Sequence, residues 1–167
     1  MNTPGVPQVS KISPCLWFDG AAEEAAQFYT SLFPDAAIGA ISRYGDGMPF
    51  PAGTAMLVEF TLAGQSFQTL NGGPQFPFTE AISMSVRCAD QAEVDHYWDA
   101  LTDGGAPHRC GWLKDRFGVS WQIVPEALMR LQAAGDPVAT ERMMKALMKM
   151  IKLDVAGLER AFRGEEV

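Results

Sequence analysis

Two signatures occur twice in this chain, in the same order, and that repetition constrains its fold more than any other feature. The first is Glu-x-x-x-aromatic-aromatic-x-x-Leu. It appears as Glu24…Phe28-Tyr29…Leu32 and again as Glu93…Tyr97-Trp98…Leu101. The second is Gly-x-Ser-aromatic-Gln. It appears as Gly64-Gln65-Ser66-Phe67-Gln68 and again as Gly118-Val119-Ser120-Trp121-Gln122. Amphipathic helices resemble one another, so the first signature alone carries little. The second has no such explanation, and the chain is read as a duplication.

Hydrophobic spacing gives each copy the same order of elements. A strand over 12–18 precedes a helix over 21–33, whose Ala25, Phe28, Tyr29 and Leu32 form one apolar stripe and which stops at Pro34-Asp35. Strands follow over 37–44, 55–62 and 65–70, the last two joined at Ala63-Gly64. The second copy has a strand over 81–87 and a helix opened by Asp90-x-x-Glu93, a capping box, with the stripe Val94, Tyr97, Trp98 and Leu101. A hairpin of 110–114 and 119–124 then turns at Asp115-Arg116-Phe117-Gly118. Each copy is therefore a βαβββ unit, and the fold class is α+β. Residues 1–10 are a flexible lead, 11–79 the first module, 80–125 the second and 126–167 a C-terminal helical extension that breaks at Gly135-Asp136-Pro137. A helix covers only one face of a four-stranded sheet, so the paired modules are expected to enclose a ligand cleft with their other faces.

Composition narrows the function. The 167 residues suffice for one domain or two small modules. A net charge of −7 argues against nucleic acid or an anionic membrane as a partner. No apolar run approaches the roughly 20 residues of a membrane span. The first residues lack a basic and apolar leader, so no secretory signal is expected. Three scattered cysteines, Cys15, Cys88 and Cys110, suit a reducing compartment, and a cytoplasmic location is expected. The chain has two histidines, His96 and His108, and neither pairs with cysteine at a zinc spacing.

Several side chains are candidates for the cleft. Gln68 and Gln122 are amide hooks with donors and an acceptor. Ser83, Ser85 and Arg87 alternate along one strand face, with Arg87 suited to an anionic ligand. Cys110 shares a strand face with His108, but no third group completes a nucleophile. Trp17, Trp112 and Trp121 are core or cleft wall, and Trp112 is kept with the cleft. The candidate set is Gln68, Ser83, Ser85, Arg87, Cys110, Trp112 and Gln122, with no catalytic residue assigned. Cys15 and Cys88 are read as buried packing residues and His96 as exposed. Gly45-Asp46-Gly47 and Gly72-Gly73 lack the strand-to-helix setting of a phosphate loop, and no dinucleotide-type glycine motif occurs. Met144, Leu147, Met148 and Ile151 form a Met-rich stripe suited to a subunit contact.

The segments Pro14-Cys-Leu-Trp-Phe-Asp-Gly20-Ala-Ala-Glu-Glu-Ala, Leu70-Asn71-Gly72-Gly73, Glu93-Val-Asp95-x-Tyr-Trp98 and Cys110-Gly-Trp-Leu-Lys-Asp-Arg-Phe-Gly-Val-Ser-Trp-Gln-Ile-Val-Pro125 resemble the PhnB-like branch of the vicinal oxygen chelate superfamily. That superfamily includes glyoxalase I, extradiol dioxygenases and bleomycin- and fosfomycin-resistance proteins; the branch carries the domain name 3-demethylubiquinone-9 3-methyltransferase. The resemblance covers residues 11–125 and implies two βαβββ modules. A homodimer is expected on separate grounds, because open antiparallel sheets leave edges and an incompletely covered face. In metal-dependent relatives the resemblance also implies a divalent ion held by one ligand from each of four strands. Those positions fall here near Pro14, Gln68, Ser83 and Gln122, which offer no anionic or imidazole ligand. No metal and no cofactor are therefore expected. The expected function is metal-free binding of a small molecule. An enzyme of the superfamily (lyase, isomerase, dioxygenase or methyl transfer) and a drug-sequestering resistance protein are the alternatives.

Overall fold

The structure, a computed structural model, describes residues 10–165. The expected lead therefore lies outside the described residues, apart from Ser10. The chain forms two compact units that divide between Pro77 and Phe78.

In the first unit β1 (Cys15–Phe18), α1 (Ala22–Leu32), β2 (Ala37–Arg43), β3 (Ala55–Leu62) and β4 (Gln65–Asn71) form one sheet with one helix on it. The strand order is β1-β4-β3-β2. β1 runs parallel to β4, and the other pairs are antiparallel. Val58, Phe60 and Leu62 alternate along β3 and are buried on the helix side. The helix meets them with Ala22, Ala25, Ala26 and Tyr29, so its buried face is turned slightly from the expected stripe; Phe28 and Leu32 are half-buried at its border. Alanines at the contact let the helix lie close to the sheet. Ala21, at the head of α1, offers no capping side chain. Asn71 does so from β4: its Oδ1 accepts the Ala22 N–H at 3.0 Å, and its Nδ2 donates to the Ala55 carbonyl at 2.9 Å. The turn between β3 and β4 puts Ala63 and Gly64 at φ 48 and 77, the left-handed pair a tight hairpin requires.

The second unit repeats the plan with β5 (Met84–Cys88), α2 (Gln91–Thr102), β6 (Ala106–Pro107), β7 (Trp112–Lys114) and β8 (Ser120–Pro125), in the order β5-β8-β7-β6. Glu24 and Glu93 are each the third residue of their helix. Asp90 caps α2 as expected, while Glu93 reaches back one residue further than a capping box requires. Asp90 accepts the Glu93 N–H at 2.9 Å, and the Glu93 carboxylate accepts the Ala89 N–H at 2.6 Å. Two boundaries differ from expectation. β5 starts at Met84, which leaves Ser83 just ahead of it. β7 starts at Trp112, because Cys110 and Gly111 adopt left-handed φ of 61 and 79. The two-residue β6 carries no alternation for a sequence reading to detect. It follows Gly105, where a Cβ would lie 2.1 Å from the Lys114 carbonyl oxygen. Asp115 closes the β7–β8 hairpin from within. Buried, it accepts the N–H groups of Phe117 and Val119 at 2.9 and 3.0 Å and the Trp121 indole N–H at 2.8 Å.

The same unit continues into α3 (Glu126–Gln132), α4 (Pro137–Leu147) and α5 (Val155–Arg163). Asp136 and Asp154 cap the last two. Leu131, Met143, Leu147, Leu153 and Leu158 form their core. The Met-rich stripe is corrected here. α4 ends at Leu147 and buries Ala139, Met143 and Leu147, which leaves Met148 and Ile151 62% and 54% exposed. The loop before α5 fastens the helices to the module. The Cys110 and Gly111 N–H groups donate to the carbonyls of Met150 and Ile151 at 2.8 Å each. Lys152 Nζ reaches Asp95 and Asp99 of α2 at 3.1 Å each. Among the described residues no helix is long and apolar enough to cross a membrane.

Asp115→Ala leaves a buried indole N–H and two turn amides without their acceptor, and a loss of about 2–4 kcal/mol is expected in urea unfolding at fixed pH. Asp115→Asn, which retains the turn acceptor, should lose less. A second prediction concerns acid. The Gln91 amide, followed by the Lys152 ammonium, holds the Asp95 carboxyl below its ordinary pKa. A depressed folded pKa means that this stabilisation is complete above the ordinary carboxylate value and disappears as pH falls through the depressed one. The urea midpoint should therefore fall less steeply with acid in Asp95→Asn than in the parent. Parallel curves would assign the pair no role.

Candidate functional site

The sheet face opposite the helix carries the polar side chains of each module. Strand alternation and register set them in rows. In the first unit Cys15, Gln68 and Glu59 lie opposite one another across β1, β4 and β3, flanked by the row Trp17, Leu70, Leu57 and the pair Ser66, Thr61. In the second, Ser85, Gln122 and Trp112 form the matching row across β5, β8 and β7, with Ser120 opposite Lys114. The two glutamines of the repeated motif thus occupy one position of a common plan, and so do Ser66 and Ser120. Register also places Ser13, rather than Pro14, as the counterpart of Ser83, since Cys15 and Ser85 each face a motif glutamine.

On the first sheet a cavity of about 180 Å³ is lined by Ser13, Gly39, Ala40, Glu59, Thr61 and Gln68, among others. Glu59 is half-buried and makes no hydrogen bond or ion pair among the described residues. A Cβ on Gly39 would stand 3.5 Å from the Glu59 Cβ. Trp17 forms part of the same face. Its indole N–H donates to the Gly73 carbonyl at 2.8 Å, and its ring lies so close to Gly72 that a Cβ there would overlap it. Cys15 is exposed in the polar row, which corrects its reading as a buried packing residue. Desolvation pushes its thiol pKa up, so it is no ready thiolate.

On the second sheet a cavity of about 270 Å³ is lined by Glu80, His108, Arg109, Trp112, Leu113 and Ser120. Lys114 pairs with Glu80 at 2.6 Å and holds the Glu80 carboxyl below the ordinary range. The Ser120 hydroxyl is buried with no partner among the described residues. Gln122 Nε2 donates to the Ser83 hydroxyl at 2.9 Å, so this hook is already occupied within the protein.

The structure thus brings Ser83, Ser85, Trp112 and Gln122 to one sheet face, with Gln68 at the equivalent place in the first unit. It separates the other two candidates. Arg87 is exposed and lines a different cleft, of about 480 Å³, with Asp90, Glu126, Met129 and Arg130. Cys110 packs against the C-terminal helical core. Cys88 is buried as expected, its thiol pKa pushed up to about 12 by burial first and then by Glu93 and Asp90. His96 is exposed, also as expected. Sequence reasoning missed Glu59, Arg109 and the buried Ser120 hydroxyl. One signal was available: Glu59 is a charge inside the apolar run Ala55-Met-Leu-Val-Glu-Phe-Thr-Leu62.

The donor set does not fit a divalent metal. The positions reached by resemblance offer a proline, a serine and two amides. Among the described residues no three His, Cys, Asp or Glu side chains gather at one place. An S-adenosylmethionine site of the doubly wound type is not served either. Here each first strand pairs in parallel only with the last strand of its own module, and no Gly-rich turn opens the following helix.

Comparison with known proteins accords with this architecture. A family model described as 3-demethylubiquinone-9 3-methyltransferase matches residues 10–124, ending just before α3. The PhnB protein from Bacillus cereus is 39% identical, over 70% of this chain and 99% of that one, with a TM-score of 0.66. Protein PA1353 from Pseudomonas aeruginosa is 24% identical over 70% and 98%, with a TM-score of 0.58, and supports the fold. No curated protein matches the chain. With its duplicated βαβββ plan and a family match that spans both modules, the chain belongs to the PhnB-like 3-demethylubiquinone-9 3-methyltransferase family.

Proposed function

We propose that this protein binds a small organic molecule on the open faces of its βαβββ sheets, without a metal ion and without transferring a methyl group. One observation carries the reading. The helices cover one face of each sheet, while the other holds a repeated row, Cys15–Gln68–Glu59 and Ser85–Gln122–Trp112, in which Gln68, Glu59, Gln122 and Trp112 are half-buried beside a cavity. Polar groups withdrawn from water at no structural gain are what a ligand site needs. Three free cysteines fit a cytoplasmic location. A homodimer belongs to the same reading. Ile12 and Ile82 each precede by three residues the partner of a motif glutamine, and they stand 82% and 62% exposed beside strands at the sheet edge.

Native mass spectrometry of the purified protein reads metal, subunit mass and retained small molecule together. A dimer without stoichiometric divalent metal is expected; a monomer, or one metal ion per chain, overturns the corresponding part. For the binding claim, a fragment library is screened by amide chemical shifts. Perturbations should cluster at Cys15, Glu59 and Gln68 or at Ser85, Trp112 and Gln122. A hit of the first cluster should slow alkylation of Cys15, and Gln68→Ala should weaken it about 3–10-fold, the worth of one neutral hydrogen bond. Transfer of labelled methyl from S-adenosylmethionine to a phenol would sink the non-enzymatic reading.

A further inference from the structure

The duplication supplies an internal control for the first cavity. Register makes Trp112 the counterpart of Glu59, and the backbones of His108 and Arg109, which bond that of Trp112, lie beside it as Gly39 lies beside Glu59. The second module folds with an aromatic ring beside two basic residues where the first has a carboxylate beside a glycine. An acid at this position is therefore no requirement of the fold. Yet Glu59 is half-buried, with no cation or hydrogen-bond donor engaging it among the described residues. Ser13, Thr61 and Gln68 line the same cavity and add neutral oxygens. The absent side chain of Gly39 leaves space at the base of the Glu59 side chain.

Resting on the small-molecule reading above, we infer that Glu59 recognises a small organic cation, a primary ammonium or an amidinium, in the cavity of the first module. The cation supplies the counter-charge that no described residue gives the carboxylate. Its remaining N–H donors match the Gln68 amide oxygen and the hydroxyls of Ser13 and Thr61. A divalent metal is poorly served, since a single carboxylate lines the cavity. An anion meets repulsion with no compensating base.

The test uses the full chain and three probes that share one ring: benzylamine, benzyl alcohol and benzoate, titrated at neutral pH and followed by amide shifts at Gly39, Glu59 and Gln68. Benzylamine should bind tightest and benzoate weakest. Glu59→Gln should weaken benzylamine about tenfold or more and leave benzyl alcohol unchanged, with Glu59→Asp in between. On the parent protein, added salt should weaken benzylamine and not the alcohol, a readout that needs no variant. Benzyl alcohol or benzoate binding there as tightly as benzylamine, or an unchanged affinity in Glu59→Gln, overturns this inference and leaves the small-molecule reading standing. No shift with any of the three overturns the inference and removes the first cavity from that reading.

Discussion

Each unit depends on a parallel pairing between its first strand and its last, β1 with β4 and β5 with β8. The first and second strands of each unit lie at opposite edges of its sheet, so the helix that joins them crosses over one face and lies against it. That places the last strand inside the sheet, flanked on both sides, and dedicates one face to the helix. The Gly-x-Ser-aromatic-Gln signature lies on this central strand. Its aromatic residue, Phe67 or Trp121, points to the helix face, and its serine and glutamine point to the open one. The repeated motif therefore serves the core and the candidate site at once, one residue apart.

The two units solve the same local problems with different chemistry. At the start of the first helix, Asn71 reaches across from β4 to accept the orphan Ala22 N–H. At the start of the second, Asp90 and Glu93 satisfy the helix locally. The position of Asn71 in β4 corresponds to Pro125 in β8, whose ring carries no hydrogen-bonding group, and α3 begins at the next residue. Asp115 has no counterpart in the first unit, whose hairpin closes with a two-residue left-handed turn instead. The open faces keep the motif serines and glutamines and differ beside them. There Glu59 and Trp112 share a position, which makes those faces the places to look for function.

Family membership does not by itself fix the chemistry. The match covers both modules, and the fold is shared with the Bacillus cereus PhnB protein. The activity in the family's name would need groups at the site, and function resides in those groups rather than in the scaffold. Among the described residues the open faces offer amides, hydroxyls, the indoles of Trp17 and Trp112 and the unpaired carboxylate of Glu59, a set suited to recognition by hydrogen bonds and charge. The C-terminal helices lie beyond the family match, and their own core, together with Lys152 and the backbone of Cys110 and Gly111, attaches them to the second module.

The sequence by itself determined the duplicated βαβββ plan, the Ala63-Gly64 turn, the Asp90 cap and the shared placing of Gln68 and Gln122. These follow from period, turn chemistry and repetition, which act over a few residues at a time. Only the tertiary structure decided which side chains meet. Alternation suggested that Cys110 shared a face with His108, but a left-handed turn before β7 carried Cys110 into the helical core. Cys15 looked like packing until the register set it beside Gln68 on the open face. The Met-rich stripe turned by a residue because the partners of Met143, Leu131 and Leu158, lie on other helices. Glu59 became a candidate for the same reason. Its neighbours Gly39 and Gln68 come from adjacent strands, and the space beside a charge is a property of the surfaces around it.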